Sequence, residues 1–205
     1  HMDQFFATVP FFPPASLVKG IFINGRGERF INEDAYHGRV AHYVLRQPEG
    51  KAWLLVDDEI FGRPVIKPDV TVAAVGESWE EIETELGLPA GSLVHTVETF
   101  NAQAAAGNDP LFHKAPDWLR PLTKAPFAAI SYCSADLETH AFTLGGLATR
   151  PSGEVLDGDG QPIRGLFAAG RSACGLPRWG EGYSSGLSLG DSTFFGRMAG
   201  KSAAA

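Results

Sequence analysis

The sequence predicts an α+β chain in two parts: a body of short strands and helices, then a closing segment of α/β type. Three observations carry this expectation. Short apolar runs alternate with helix signals from residue 15 to about residue 138. From residue 139 the order changes to a glycine pair, a hairpin, an apolar strand ending in Gly, and a helix of small residues. Near the N-terminus no G-x-G-x-x-G separates a strand from a helix, as a complete dinucleotide fold requires. Gly25-Arg26-Gly27 lacks the third glycine and lies in a turn.

Residues 1–14 form a lead segment. Asp3 to Lys19 is rich in Phe and Pro, and proline blocks regular structure, so an extended apolar stretch is expected. Phe5, Phe6, Phe11 and Phe12 need a neighbouring body to cover them. GIFIN and ERFIN follow as two short runs joined at Gly25-Arg26-Gly27. Asp34 to Gln47 can be helical, with Val40, Tyr43, Val44 and Gln47 at i, i+3, i+4, i+7. Ala52 to Val56 reads as a buried strand. Ser78 with Glu81 three residues later is a capping box, so a helix starts there and runs to Leu86. Ser92 to Ala106 carries Leu93, Val94, Val97 and Phe100, with Gly107 as its stop.

Phe127 to Tyr132 and Ala141 to Thr149 are strand-like. Asp157-Gly158-Asp159-Gly160 is a turn between Glu154-Val155-Leu156 and Pro162-Ile163. Gly165 to Ala169 reads as a buried strand, and Gly186 to Ala199 as a closely packed helix. Asp57-Asp58-Glu59 and Glu80-Glu81 read as solvated faces or caps.

The chain has 205 residues, 44% hydrophobic and 20% charged, the composition of an ordinary globular protein. A net charge of −7 argues against nucleic acid or an anionic membrane surface as partner. There is no transmembrane run of about 18 apolar residues and no basic signal-peptide start. Cys133 and Cys174 lack CxxC spacing and read as reduced thiols of a cytoplasmic protein. His42, His95 and His113 are spread apart, and no metal site is read.

The closing segment has the parts of half a flavin site. Gly145 and Gly146 of TLGG let the backbone approach a flat ring, since no Cβ intervenes. GLFAAG, ending at Gly170, is a strand that presents a loop at the carboxyl edge of an α/β sheet. GYSSGLSLGD opens a helix free of bulky or acidic side chains, leaving N–H groups and the positive dipole end for an electron-rich ring oxygen. The phosphate cradle is the half that is missing.

FINEDAYHGR (Phe30 to Arg39), TLGG, GLFAAGR and GYSSGLSLGDSTFFGRMAG resemble the fumarate-reductase/succinate-dehydrogenase flavoproteins, in the same order. Within that superfamily they are most similar to bacterial FAD-dependent 3-ketosteroid dehydrogenases, the Δ4-(5α) type especially. The resemblance implies a substrate or cap domain at residues 15–138 and the returning C-terminal segment of an FAD-binding domain at residues 139–205. The N-terminal G-x-G-x-x-G segment of that domain is absent. It implies FAD as cofactor, and a second chain or preceding segment as partner.

Departures from the fumarate-type pattern narrow the substrate. Those members carry an arginine five residues after the Asn of the NE pair, where this chain has His37. They carry another arginine before the last glycine-rich helix, where this chain has Tyr183-Ser184-Ser185. They place a histidine directly before TxGG, whereas His140 stands three residues before Thr143. Without guanidinium forks a dicarboxylate is poorly held, and tyrosines in an aromatic-rich pocket suit a neutral ketone on an apolar skeleton, which the resemblance implies is steroid-like.

Desaturation beside a ketone removes a proton α to the carbonyl and sends a hydride from the β carbon to the flavin N5. The α proton is acidified when the ketone oxygen accepts hydrogen bonds, and tyrosine can donate such a bond or join a proton relay. By resemblance Tyr183 is the base or relay member, with Tyr36 and Ser185 polarising or relaying. The flavin-contact candidates are Gly145, Gly146, Gly170, Arg171, Gly186, Leu187, Ser188 and Leu189. His37, Trp179 and Gly186 are the substrate-contact candidates. Two other readings stay open: a non-catalytic fragment or small subunit that needs an FAD-binding partner, and a fumarate-reductase-like enzyme acting on another substrate.

Overall fold

The computed structural model describes residues 5–8, 15–61, 71–137, 140–176, 178–184 and 186–205. In chain order the elements are β1 (Phe5–Thr8), β2 (Ile21–Asn24), α1 (His37–Val44), β3 (Ala52–Asp57), β4 (Val72–Gly76), α2 (Trp79–Leu86), α3 (Ser92–Ala105), β5 (Phe127–Ser131), β6 (His140–Thr143), β7 (Glu154–Leu156), β8 (Pro162–Phe167) and α4 (Leu187–Ala203). The chain divides into two compact units. One is Val9–Thr139; the other joins His1–Thr8 to His140–Ala205.

The Val9–Thr139 unit is built on an antiparallel sheet in the order β2-β3-β5-β4. Every residue of β2, β3 and β5 is buried, which explains why AWLLV is a continuous apolar run rather than an alternating one. The core gathers Phe22, Leu54, Leu55 and Ile130 from the sheet with Ile82, Leu93 and Phe100 from α2 and α3. Trp79 stacks on Phe127 with ring centroids 4.2 Å apart. Burial pushes the Tyr132 phenol upward, so it stays protonated.

Helix ends follow their local chemistry. Ser78 accepts from the Glu81 amide, and Glu81 in turn accepts from the Glu77 amide, one residue earlier than a reciprocal box would place it. Gly87 closes α2 in the left-handed conformation. The buried Glu83 accepts from the amides of Gly91 and Leu93 and so caps α3 from the preceding helix.

Several expectations are corrected. ERFIN does not form a second strand: it pairs with β2 only at Arg29, opposite Ile23. Of its side chains, Arg29 turns inward to an ion cluster instead. The first helix begins at His37, not Asp34, because Asn32 makes an Asx turn with the Asp34 amide and Tyr36 is non-helical (φ −50, ψ 125). Asp57 is buried rather than solvated: its carboxylate accepts from the amides of Ile60, Thr123 and Lys124.

The ion cluster consists of Arg29, Glu33, Asp109 and Lys114, all with buried side chains. Arg29 forks onto Glu33 through Nε (2.8 Å) and Nη2 (2.6 Å) and reaches Asp109 at 2.9 Å. Its guanidinium lies over Phe100 and Phe112, 5.1 and 4.7 Å from their centroids. Lys114 Nζ stands 3.2 Å from Glu33 and donates to the Gly20 carbonyl at 2.6 Å. Burial alone would favour loss of the Arg29 proton, but Glu33 and Asp109 outweigh it and raise the pKa. Burial pulls the Lys114 ammonium below its ordinary pKa, with Glu33 opposing.

In the other unit β1 pairs antiparallel with β6, Phe5 opposite Thr143 and Thr8 opposite His140. The lead segment, expected to be irregular, thus contributes a strand; residues 1–4 and 9–14 lie outside the described residues. The strand read over Ala141 to Thr149 ends at Thr143, and Leu147 and Thr149 keep only single bridges, to Ala173 and Val155. β7 and β8 form a hairpin closed by Asp157, whose Oδ1 accepts from the Asp159 and Gln161 amides at 2.9 Å. β8 is not the buried strand its apolar run suggests. Ile163 and Leu166 are exposed because a two-stranded ribbon has little to cover it.

Candidate functional site

The TLGG turn owes its shape to the loop beyond β8. Leu147 donates to the Ser172 carbonyl at 2.9 Å and Cys174 to the Leu147 carbonyl at 3.0 Å, a parallel bridge between two loops. A Cβ on Gly146 would come within 2.6 Å of the Ala173 carbonyl carbon and 2.9 Å of the Ser172 oxygen. Gly146 is therefore glycine because backbone meets backbone here, a reason of packing. Gly146→Ala should force the two loops apart and cost about 1–3 kcal/mol, read as a lower denaturation midpoint.

Two neighbouring hollows share Gly170, Ala173, Gly175 and Asp191. The smaller, of about 30 Å³, brings together Gly145, Gly170, Arg171 and Ser188 from the flavin-contact candidates. The larger, of about 230 Å³, is walled by Arg150, Arg178, Cys174 and Phe195. Gly146, Gly186, Leu187 and Leu189 line neither. Both hollows fall below the roughly 300 Å³ at which ligand pockets usually begin. Arg171 sits 3.6 Å over the Phe142 ring, so its guanidinium stacks on β6.

Gly186 precedes α4 as its N-cap at φ 83, a conformation favourable only to glycine. A Cβ there would project into open space. Among the described residues no side chain caps the first turn of α4, and none in that turn is acidic. The Leu187 amide is spent on the Ser184 carbonyl at 3.2 Å, which removes one expected donor. The positive helix end with a glycine approach fits the electron-rich edge of a flavin. Asp191, one turn further on, lines both hollows; it is buried and accepts from the Leu176 amide at 3.0 Å.

Tyr183 is 8% exposed. Its hydroxyl donates to Ser188 Oγ at 2.8 Å, and its ring meets Phe142 edge-on, centroids 5.5 Å apart. A polar tip on a packed ring fixes the phenol at the start of α4. Trp179 is 60% exposed, its ring laid against Gly182. Tyr36 is half-buried and sits in the N-cap position of α1 without capping it through its side chain. His37 is the first residue of α1. Ser185 lies outside the described residues.

The sequence reading missed Ser188 as a hydroxyl partner, having counted only its amide. Its signal was the i, i+5 spacing from Tyr183 across the glycine at 186, which folds the chain back into the helix. The reading also missed the clamp on the segment before Tyr36, since its partners stand about 80 positions away in the sequence.

The chain matches a model of the FAD binding domain over residues 18–187. It is 41% identical to the crystal structure of 3-ketosteroid-Δ4-(5α)-dehydrogenase from Rhodococcus jostii RHA1 in complex with 4-androstene-3,17-dione. That match has a TM-score of 0.87 and covers 100% of this chain and 42% of that one. It is 30% identical over 192 residues to a probable fumarate reductase of Shewanella frigidimarina, covering 91% of this chain and 31% of the relative. It is 31% identical over 219 residues to 4-oxocyclohexanecarboxylate 2-dehydrogenase of Sinomonas cyclohexanicum, covering 90% and 36%. The chain thus spans about a third of the length of these two curated relatives. Among the described residues no helix is long and apolar enough to cross a membrane. Carrying the match over most of its length, with steroid dehydrogenase and fumarate reductase relatives, the chain belongs to the FAD-binding family of flavin-dependent oxidoreductases, and FAD is its cofactor.

Proposed function

We propose that this chain is part of a cytoplasmic FAD-dependent 3-ketosteroid dehydrogenase. The Val9–Thr139 unit acts as the substrate cap, and His140–Ala205 as the returning part of the FAD-binding domain. The observation that carries the reading is the likeness to the Rhodococcus dehydrogenase across the whole chain. The arginine-free positions at His37 and Tyr183 support a neutral ketone over a dicarboxylate.

Bound FAD supplies the acceptor for the substrate hydride. Gly145, Gly170, Arg171, Gly186 and the amides of Ser188 and Leu189 would hold the cofactor. Tyr183 takes the α proton as it gives its own hydroxyl proton to Ser188 Oγ, the partner it already addresses at 2.8 Å, and Ser188 in turn releases its hydroxyl proton to solvent water. Tyr36 and Ser185 polarise the ketone oxygen, and Trp179 and His37 contact the steroid. In the FAD-loaded protein, anaerobic addition of a saturated 3-keto-5α-steroid should bleach the visible flavin absorption and yield the conjugated ketone. If fumarate reoxidises the reduced protein while the steroid leaves its spectrum unchanged, the reading is wrong and the fumarate-reductase alternative takes its place.

A second reading concerns the chain by itself: it is inactive until an N-terminal FAD-binding segment or subunit joins it. The exposed Ile163 and Leu166 on β8 and Leu189 and Phe194 on α4 favour this. The purified chain should then lose added FAD on desalting. A chain that retains flavin and turns over steroid unaided would refute it.

A further inference from the structure

We infer that the loop Asp109–Ala115 is a positioning device for Tyr36, acting through Asn32 and Asp34. The inference rests on the catalytic role proposed for Tyr36 and adds the residues that hold it in place.

Tyr36 ends a short irregular segment, Asn32 to Tyr36, that no strand or helix contains. Such a segment needs attachments if its last residue is to keep one position. Three run to the same loop. Asn32 Nδ2 donates to the His113 carbonyl at 3.2 Å. Asp34 Oδ2 accepts from the Ala115 amide at 2.6 Å. Between them Glu33 binds Lys114 at 3.2 Å and Arg29 at 2.6 Å, and Arg29 continues to Asp109. Three successive residues of one segment therefore meet the loop in alternating fashion, outer, buried, outer.

The loop is itself held in shape. Asp109 accepts from the Phe112 and Lys114 amides at 3.3 and 3.2 Å. His113 has φ 57, a left-handed conformation costly for a residue with a Cβ. In that conformation its carbonyl accepts from Asn32, and its amide donates to the Asp109 carbonyl at 2.9 Å. Strain of this kind persists where the structure over-determines a backbone position. Downstream, the Tyr36 carbonyl receives the Arg39 and Val40 amides at 2.8 and 3.1 Å, so the segment is fixed at both ends. The buried ion cluster holds the loop, and the loop holds the segment. Asn32 and Asp34 are positioning residues: they act on substrate only through Tyr36.

The test uses Asp34→Ala, which cuts one outer attachment at a half-buried site, and Asp34→Asn, which keeps an acceptor oxygen. The chain has four tyrosines, so 3-fluorotyrosine labelling gives four fluorine resonances, and Tyr36→Phe assigns one of them. Asp34→Ala should shift or broaden the Tyr36 resonance alone, and Asp34→Asn should restore it. In the FAD-loaded protein Asp34→Ala should lower kcat by about tenfold or more with KM little changed, since small misplacements near reacting atoms are costly. An unmoved Tyr36 resonance in Asp34→Ala overturns the positioning inference even if Tyr36 is catalytic. An unchanged kcat in Tyr36→Phe overturns the role of Tyr36 itself, whatever the resonance does.

Discussion

Tyr183→Phe should lower turnover of the FAD-loaded protein by about 10²–10⁴-fold, the range over which positioned proton-transfer groups act. The substitution removes one oxygen from a ring that Phe142 packs edge-on and leaves the surrounding volume filled. Loss of the Ser188 partner costs about 1 kcal/mol, too little to unfold a domain of ordinary stability. The flavin spectrum should stay as in the parent protein. Ser188→Ala discriminates further. If the proton leaves through Ser188 Oγ, this variant should also slow turnover, while its backbone amide is unaltered. A Tyr183→Phe variant with turnover within about threefold of the parent, against the usual range, would return Tyr183 to the status of a packed core residue. Steady-state kcat and KM with a saturated 3-ketosteroid decide the matter.

Glu33→Ala should be the most damaging single change to the Val9–Thr139 unit. Glu33 accepts from Arg29 twice, from Lys114 and from the Phe22 amide at 3.0 Å. Removing it leaves two cations and a strand amide buried with fewer partners. Breaking a buried pair in this way costs roughly 3–5 kcal/mol, a large part of the 5–15 kcal/mol that holds a typical domain together. The urea midpoint, read from fluorescence of Trp53, Trp79 and Trp118, should fall steeply.

The same cluster responds to acid through Asp109. Burial would raise that carboxyl, but the hydrogen bond and charge of Arg29 outweigh it, and the pKa lies below the ordinary value. A depressed carboxyl contributes stability above its unfolded pKa, near 3.9, and loses it as pH falls through the folded value. The parent should therefore weaken on acidification below about pH 4. Asp109→Asn should be weaker at neutral pH and show a shallower acid slope.

The sequence made local structure visible and long-range pairing invisible. The capping box at Ser78, the stop at Gly107, the Asp157 turn and the open glycine start of α4 are all written within a few residues of where they act. The ion cluster is not, because Glu33 and Lys114 stand in unrelated segments and a charged residue alone reads as surface. β4 escaped notice for a similar reason. Its five residues are half exposed without clean alternation, so no period announces a strand. At the candidate site, glycine spacing marked where the backbone comes close but not why. Gly146 answers to the Ala173 backbone, a contact fixed only once β8 and its loop have folded.

The pairing of β1 with β6 carries a consequence for how the chain assembles. Thr8 faces His140, so everything between them is a loop closed by a four-residue ribbon. Closing a loop this long in an unfolded chain costs on the order of 4 kcal/mol of entropy, more than so short a ribbon returns. The Val9–Thr139 unit has its own core and sheet. Its folding brings the two ends within reach and removes most of that entropy in advance. On the ribosome the intervening unit should therefore acquire its structure first, and the ribbon should zip only after His140 to Thr143 has emerged. A mutation that slows the inner sheet would then delay a strand pair it never touches.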